Sequence, residues 1–178
     1  METRRYVTLE EALTGSSCPD SVRETLELLT LPFVGFDGQE HEGQLVVHRA
    51  LASEVKDVFS TLFSMRFPIE KMIPIVAYGW DDVASMEDNN TSAFNYRVIM
   101  GTDRLSNHSF GEAVDINPLL NPYFARDGKV YPEGAVYDTR IPGTVTSQVV
   151  ELFTSHGWTW GGHWESVKDY QHFEKKVN

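Results

Sequence analysis

Two short stretches set the strongest constraint on how this chain can fold. Ser106-Asn107-His108-Ser109-Phe110-Gly111-Glu112-Ala113-Val114-Asp115 carries an imidazole and a carboxylate, and Asp169-Tyr170-Gln171-His172-Phe173-Glu174 carries another of each. His108, Asp115 and His172 together match the ligand count of a catalytic zinc site, three protein ligands with a fourth position open, although a His and an Asp seven apart are by themselves as compatible with surface residues. Asp169 adds a carboxylate where a general base for an activated water is wanted. The helical His-Glu-x-x-His arrangement is absent, so the two stretches must be brought together by tertiary structure.

The local pattern says how that can happen. His108 and Asp115 are seven residues apart, an odd offset that puts them on opposite faces of a continuous strand. Gly111 between them supplies a turn or bulge that re-aims one side chain. The expectation is His108 on a loop, a bend at Gly111, then a strand delivering Asp115, with small Ala113 admitting a close neighbour. Asp169 is expected on the turn before the strand that holds His172. His41, His48, His156 and His163 read as structural or exposed by default.

Composition narrows the partners. A net charge of -11 argues against nucleic acid and anionic membrane surfaces, which call for a basic patch. Cys18 is the only cysteine, so no internal disulfide is available, and the thiol beside Pro19 reads as structural. No apolar run is long enough to span a bilayer. Met1 to Arg5 is polar with no apolar signal core behind it, which leaves a removed leader or a cytoplasmic protein released later.

At 178 residues one domain, 1–178, is expected, with 1–30 as a helical N-terminal extension. Helices are expected from Thr8, from Asp20 or Ser21 through Leu29, over 50–65 and over 146–156, with a helical turn at 81–88. Strands are expected at 32–36, 44–48, 72–78, 94–100, 112–117, 158–160 and 170–174. Residues 121–142, rich in Pro, Gly, Asp and Tyr, read as a long ordered loop. Early helices followed mostly by strands indicate α+β, with a central, mostly antiparallel sheet carrying the site and helices packed on one side.

The combined pattern Ser-x-His-x-x-Gly-x-Ala-x-Asp, Trp-Gly-Gly-x-Trp at 160–164 and Asp-x-x-His-Phe-Glu resembles the zinc D-alanyl-D-alanine carboxypeptidase and L-alanyl-D-glutamate peptidase family, which has the hedgehog/DD-peptidase fold and includes vancomycin-resistance carboxypeptidases and phage endolysins. Residues 90–97, Asp115-Ile116-Asn117-Pro118 and Asn121-Pro122-Tyr123 also resemble that family, so its core would cover about 40–175.

The resemblance implies one zinc ion held by His108, Asp115 and His172, with Asp169 as general base, an Asp where some members have Glu. It implies that Arg97 binds the substrate carbonyl or the developing oxyanion. Ser106 is expected within or beside the site, Trp160, Gly161 and Trp164 along the cleft, and Glu174 orienting an imidazole. The implied activity is hydrolysis of the peptidoglycan stem peptide, as a D-alanyl-D-alanine carboxypeptidase or alternatively an L-alanyl-D-glutamate endopeptidase. A zinc-containing domain that only binds peptide or wall is the reading from another class. The expected setting is the bacterial envelope or outside the cell, with a peptide substrate, no nucleic acid, no membrane insertion and a monomeric chain. A carboxypeptidase needs an anchor for a free carboxylate, for which Arg104, Arg126, Lys129 and Arg140 are candidates.

Overall fold

The computed structural model describes residues 6–177; the polar stretch 1–5 lies outside them. Helices α1 (Leu9–Ala12) and α2 (Asp20–Arg23) come first, followed by a long antiparallel hairpin of β1 (Leu26–Val34) and β2 (Glu40–His48). Thr8 caps α1 in a capping box with Glu11, which satisfies two of the amide groups that a helix start leaves unpaired.

The expected second helix is thus cut short. Leu29, Leu31 and Phe33 are buried at alternate positions along β1, and that two-residue period outweighs the helical spacing of Val22, Leu26 and Leu29. Within the N-terminal thirty residues the two short helices α1 and α2 come first, and the first strand, β1, begins at Leu26. Pro32 is tolerated because β1 pairs on one side only, with β2.

Helix α3 (Ala52–Ser64) follows a 3-10 turn at Arg49–Leu51. Its buried residues Val55, Val58, Phe59 and Leu62 recur at three- and four-residue steps, giving one apolar face. That face packs with Leu29, Leu31, Phe33, Leu45 and Val47 of the hairpin and with Val149 and Phe153 of helix α5 (Ser147–Thr154). Val46 and Leu26 join a second cluster with Ala12, Leu13, Cys18 and Val22. The second face of the hairpin is covered around Leu26 and Val46 by this cluster, while Thr30, Pro32 and Glu42 farther along it are exposed.

Two expected strands are absent as such. Between 72 and 78 only Lys71–Met72 (β3) pairs, in parallel with Asn90–Thr91 (β4), and Ile75–Tyr78 forms a 3-10 turn. Pro74 has no N–H for a ladder and presets the turn. Helix α4 (Asp82–Glu87) starts at Asp81, whose Oδ1 accepts from Val83 N and Ala84 N. Residues 94–100 run extended without a ladder: Phe94 N donates to Val46 O, Asn95 N to His108 O, and Val98 forms an isolated bridge with Leu105. Those bonds go to different parts of the fold, so no strand register develops.

Two small antiparallel sheets carry the chemistry. One has β5 (Ala113–Asp115), β10 (His172–Glu174) and β8 (Thr159–Trp160), with β10 in the middle. The other has β6 (Tyr123–Phe124), β7 (Val130–Tyr131) and β9 (Lys168–Asp169), with β6 in the middle. The long segment 121–142 thus holds a short hairpin. It is tied down by buried Asn121, whose Oδ1 accepts from Val145 N and whose Nδ2 donates to Ile116 O and Gly143 O. The architecture is α+β with antiparallel site sheets, as the sequence led us to expect. Among the described residues no helix is long and apolar enough to cross a membrane.

Candidate metal centre and active site

His108 lies on a 3-10 turn, Asn107–Phe110, that the sequence builds locally. Ser106 caps it, its Oγ accepting from His108 N, and Gly111 ends it in the left-handed region at φ +67°. Only glycine reaches that φ at low cost, and a Cβ there would also sit 2.5 Å from His48 N. The bend expected at Gly111 is therefore a helical C-cap that feeds the chain directly into β5. Asp115 at the end of β5 stands directly opposite His172 on β10, so the pleat places both side chains on one face. Ser106 itself is buried and reaches the cavity rim mainly as the cap of the His108 turn.

The three side chains converge. His108 Nε2 lies 3.1 Å from Asp115 Oδ2 and 3.2 Å from His172 Nδ1, and His172 Nδ1 lies 2.9 Å from Asp115 Oδ1. All three residues are buried. The outer nitrogen of each ring is committed elsewhere: His108 Nδ1 donates to the carbonyl oxygen of Ala93, and His172 Nε2 to Glu174 Oε2 at 2.8 Å. Both acceptors lack protons of their own, so the ring proton sits on the outer nitrogen in each neutral tautomer, and the two lone pairs face each other beside a carboxylate. Such an arrangement attracts a cation. Outer-nitrogen bonds to a carbonyl and a carboxylate are also the supports that orient metal-binding imidazoles. The donor set therefore fits a zinc-type ion.

The titration of these groups carries the same message. Burial alone would push His172 down, but its bonds to Asp115 and Glu174 outweigh this and raise it to about 10. Burial would push Asp115 up, and the two imidazoles instead hold it far below the usual carboxylate range. In the metal-free protein a proton on His172 thus supplies the positive charge that the cluster draws.

Asp169 is brought to the same cavity from the second sheet. It pairs with Tyr123 across β6–β9, so it sits on a strand of its own and not on a turn. Its Oδ1 is buried with no hydrogen-bond partner. Burial is the main reason its pKa rises to about 7, and the nearby Asp115 charge adds to the rise while His172 and Arg97 oppose it. Gly161 makes room for it: a Cβ there would lie 2.5 Å from Asp169 O and 2.8 Å from Asp169 Cβ. The glycine expected along the cleft therefore acts by letting the strand of Asp169 pack close.

Arg97 lines the cavity as well, with its guanidinium 3.0 Å from Asp82 Oδ2 and its Nε buried without a partner. The turn that holds His108 also fixes the Arg97 backbone. Ser109 Oγ donates to Arg97 O at 2.8 Å and accepts from Arg97 N at 3.0 Å, and Ser106 N donates to Arg97 O. The cavity is about 650 Å³, a usual size for a small-molecule or peptide subsite. Trp164 lines it, its ring 5.3 Å from that of His172. Trp160 lies behind the cavity, donating to Tyr170 O and stacking on Phe173. His163 is exposed and meets the edge of Trp160.

Four residues around the site escaped sequence reasoning. Asn107 donates to Glu174 Oε2 at 2.8 Å, so the acid that orients His172 is itself oriented. Ser109 clamps Arg97, and Asp82 pairs with it. Gln171 is 1% exposed, lines the cavity and leaves both side-chain polar atoms without partners. Asn107, Ser109 and Gln171 lie inside the two motifs, and that position is itself a signal of a supporting role; nothing in the sequence points to Asp82.

The stretch 100–175 matches a protein-family model described as D-alanyl-D-alanine carboxypeptidase. It includes His108, Asp115, Asp169 and His172, and supports the resemblance seen in the motifs. Arg97 falls just outside it. The family acts on peptidoglycan peptides. The segment that carries this cluster and the acid beside it is thus similar to that peptidase family over residues 100–175.

Proposed function

We propose that the chain is a zinc-dependent peptidase that cuts the peptidoglycan stem peptide at the envelope or outside the cell, and that it releases the terminal D-Ala. His108, Asp115 and His172 would hold the ion, one per chain. The observation that carries this reading is the convergence of two outward-anchored imidazoles on a buried carboxylate. The chemistry zinc supplies when bound is Lewis acidity, which polarises a carbonyl and acidifies water.

The remaining work falls to side chains of this chain. Burial raises the pKa of Asp169 in the metal-free protein, and zinc in the same cavity would favour its ionised form, which can accept a proton and later return it. Asp169 takes the proton from the attacking water and delivers it to the leaving amine. Arg97 faces the same cavity with a fixed positive fork. It stabilises negative charge that appears on the carbonyl oxygen only as the bond to water forms, which makes its contribution specific to the transition state. Trp164 packs beside His172, with ring centroids 5.3 Å apart, and shields that side of the cluster from water, which strengthens both effects.

The test pairs metal analysis with product masses. Protein purified without chelator is expected to carry about one zinc per chain and to release D-Ala from stem peptides. Asp169→Ala is expected to keep the zinc and lose hydrolysis. Absence of bound zinc would sink this reading, unchanged turnover in Asp169→Ala would move the base elsewhere, and new D-Glu amino groups in place of D-Ala would make it an endopeptidase.

A further inference from the structure

The stretch Asn121-Pro122-Tyr123 has no part in the metal cluster, yet the fold carries Tyr123 to the acid beside it. On the second small sheet Tyr123 pairs with Asp169 on one side and with Tyr131 on the other. Directly opposite residues of antiparallel strands point to one face, with Cα atoms about 5 Å apart. Tyr131, Tyr123 and Asp169 therefore form one row across the sheet, and all three line the cavity. The ring of Tyr123 is held in that row. Tyr131 stacks on it with centroids 6.3 Å apart. Its backbone follows Asn121, whose side chain bonds to Ile116 O, Gly143 O and Val145 N, and Pro122, whose carbonyl accepts from Tyr170 N.

The hydroxyl of this ring has no work inside the chain. Tyr6 donates to Glu42, Tyr78 to Asp88 and Tyr137 to Val145 O, whereas the Tyr123 hydroxyl bonds to none of the described residues. Burial and the Asp169 charge raise its pKa, so it keeps its proton through neutral pH and remains a donor. We propose that Tyr123 is a catalytic residue whose hydroxyl donates to the carbonyl oxygen under attack, on the Asp169 side of the cavity, and so shares the developing negative charge with Arg97. The inference rests on the peptidase reading of the site and adds a residue to its reaction. The attacking water lies against Asp169 and the carbonyl lies against that water, so a donor on the strand next to Asp169 meets the carbonyl oxygen. Tyr123 keeps its proton throughout, while Asp169 carries the proton of the water to the amine. A bond to a neutral carbonyl strengthens when the oxygen becomes an anion, which places the gain in the transition state.

Tyr123→Phe removes the hydroxyl and keeps the ring. On the zinc-loaded protein, kcat and KM are measured by product release from a stem peptide that contains both the L-Ala-D-Glu and the D-Ala-D-Ala bond. Calorimetry gives the affinity of two phosphinate peptides, one built at each bond, whose tetrahedral oxygens stand in for those of the attacked carbonyl. The variant is expected to lose on the order of a hundredfold in kcat with KM little changed, the low end for one oxyanion donor because Arg97 shares the charge. It is expected to bind the tighter phosphinate at least about tenfold more weakly. Its zinc content and urea midpoint are expected to match those of the wild type, because the hydroxyl bonds to nothing in the chain.

Unchanged kcat and phosphinate affinity overturn the proposal, and so does a rise in KM alone, since the hydroxyl would then serve the ground state; continued hydrolysis leaves the peptidase reading intact in both cases. Loss of zinc or a lowered urea midpoint in Tyr123→Phe also overturns it, by making the hydroxyl a support of the fold. Phosphinate binding that the variant weakens, with no hydrolysis by either protein, upholds the contact and removes the peptidase reading instead. Failure of the wild type to bind either phosphinate or to cut the peptide overturns both.

Discussion

The cost of burying Asp169 is open to direct measurement. Its pKa stands at about 7 in the folded chain against an ordinary carboxyl value of 3.8, so between those values the folded state holds a proton that the unfolded state has lost. Stability must therefore fall as pH rises through that window, because the unfolded chain binds fewer protons. Taken in full, the rise corresponds to about 4 kcal/mol lost by pH 8, an upper bound for a group at a cavity wall. Asp169→Asn keeps the shape and removes the titration. In chelator, urea unfolding of the wild type and the variant is expected to diverge by about 1.4 kcal/mol per pH unit between about pH 5 and 6.5, with the variant increasingly the more stable. His172 titrates higher, toward about 10, and is common to both proteins. Zinc brings positive charge to the same cavity and favours the ionised acid, so loading should flatten the divergence. Parallel curves in chelator would refute the claim that Asp169 is held largely protonated near neutrality.

Other perturbations probe the supports. Asp82→Asn weakens the hold on Arg97 and is expected to lower kcat about tenfold with KM little changed, since about 1.4 kcal/mol of transition-state stabilisation is at stake; a rise in KM alone would mean Arg97 serves ground-state binding. Gly161→Ala drives a methyl into the Asp169 backbone, so a loss of about 1–3 kcal/mol in urea unfolding is expected, and a neutral result would show that the strand of Asp169 can shift. Gln171→Met replaces an unpartnered buried carboxamide with an apolar chain of similar length, which is expected to be neutral or stabilising by up to about 1–2 kcal/mol. Marked destabilisation would mean that water satisfies the amide. In the double-mutant cycle of Asn107→Ala and Glu174→Gln, coupling of about 1 kcal/mol or more in zinc affinity is expected, and additive effects would mean that Asn107 does not act through Glu174.

What the sequence disclosed, and what it hid, follows from the range of each interaction. The helix from Ala52 is legible because Val55, Val58, Phe59 and Leu62 need only one another's spacing. The Gly111 bend is legible because a single φ demands glycine. The start of β1 reads as helix because Leu26 and Leu29 satisfy helical and extended periods alike, and only the partner strand Glu40–His48 decides between them. Residues 94–100 look like a strand by composition, yet their amides go to Val46 O, His108 O, Ser109 Oγ and Arg104 O, a distribution that exists only in three dimensions. Asp82 escaped for the same reason, since its meaning depends on Arg97 arriving from another segment. Trp160 sits in a motif with Trp164, but a 3-10 turn at Gly161–His163 separates them and turns one toward the core and the other toward the cavity.

The same division between local and distant supports bears on whether the centre is a structural or a catalytic one. A structural zinc site closes its coordination with a fourth protein donor. Among the described residues no fourth His, Cys, Asp or Glu joins His108, Asp115 and His172. Glu174 is spent on His172 Nε2 and Asn107, and His163 lies against Trp160. The one acid left near the cluster, Asp169, is carried by a different sheet, spaced from β10 by only Tyr170 and Gln171 and packed against Gly161. A chain selected only to hold a metal gains nothing from keeping an unpaired carboxyl buried at a cost in stability. That cost is intelligible if Asp169 must meet a water or a leaving amine that enters the cavity from outside.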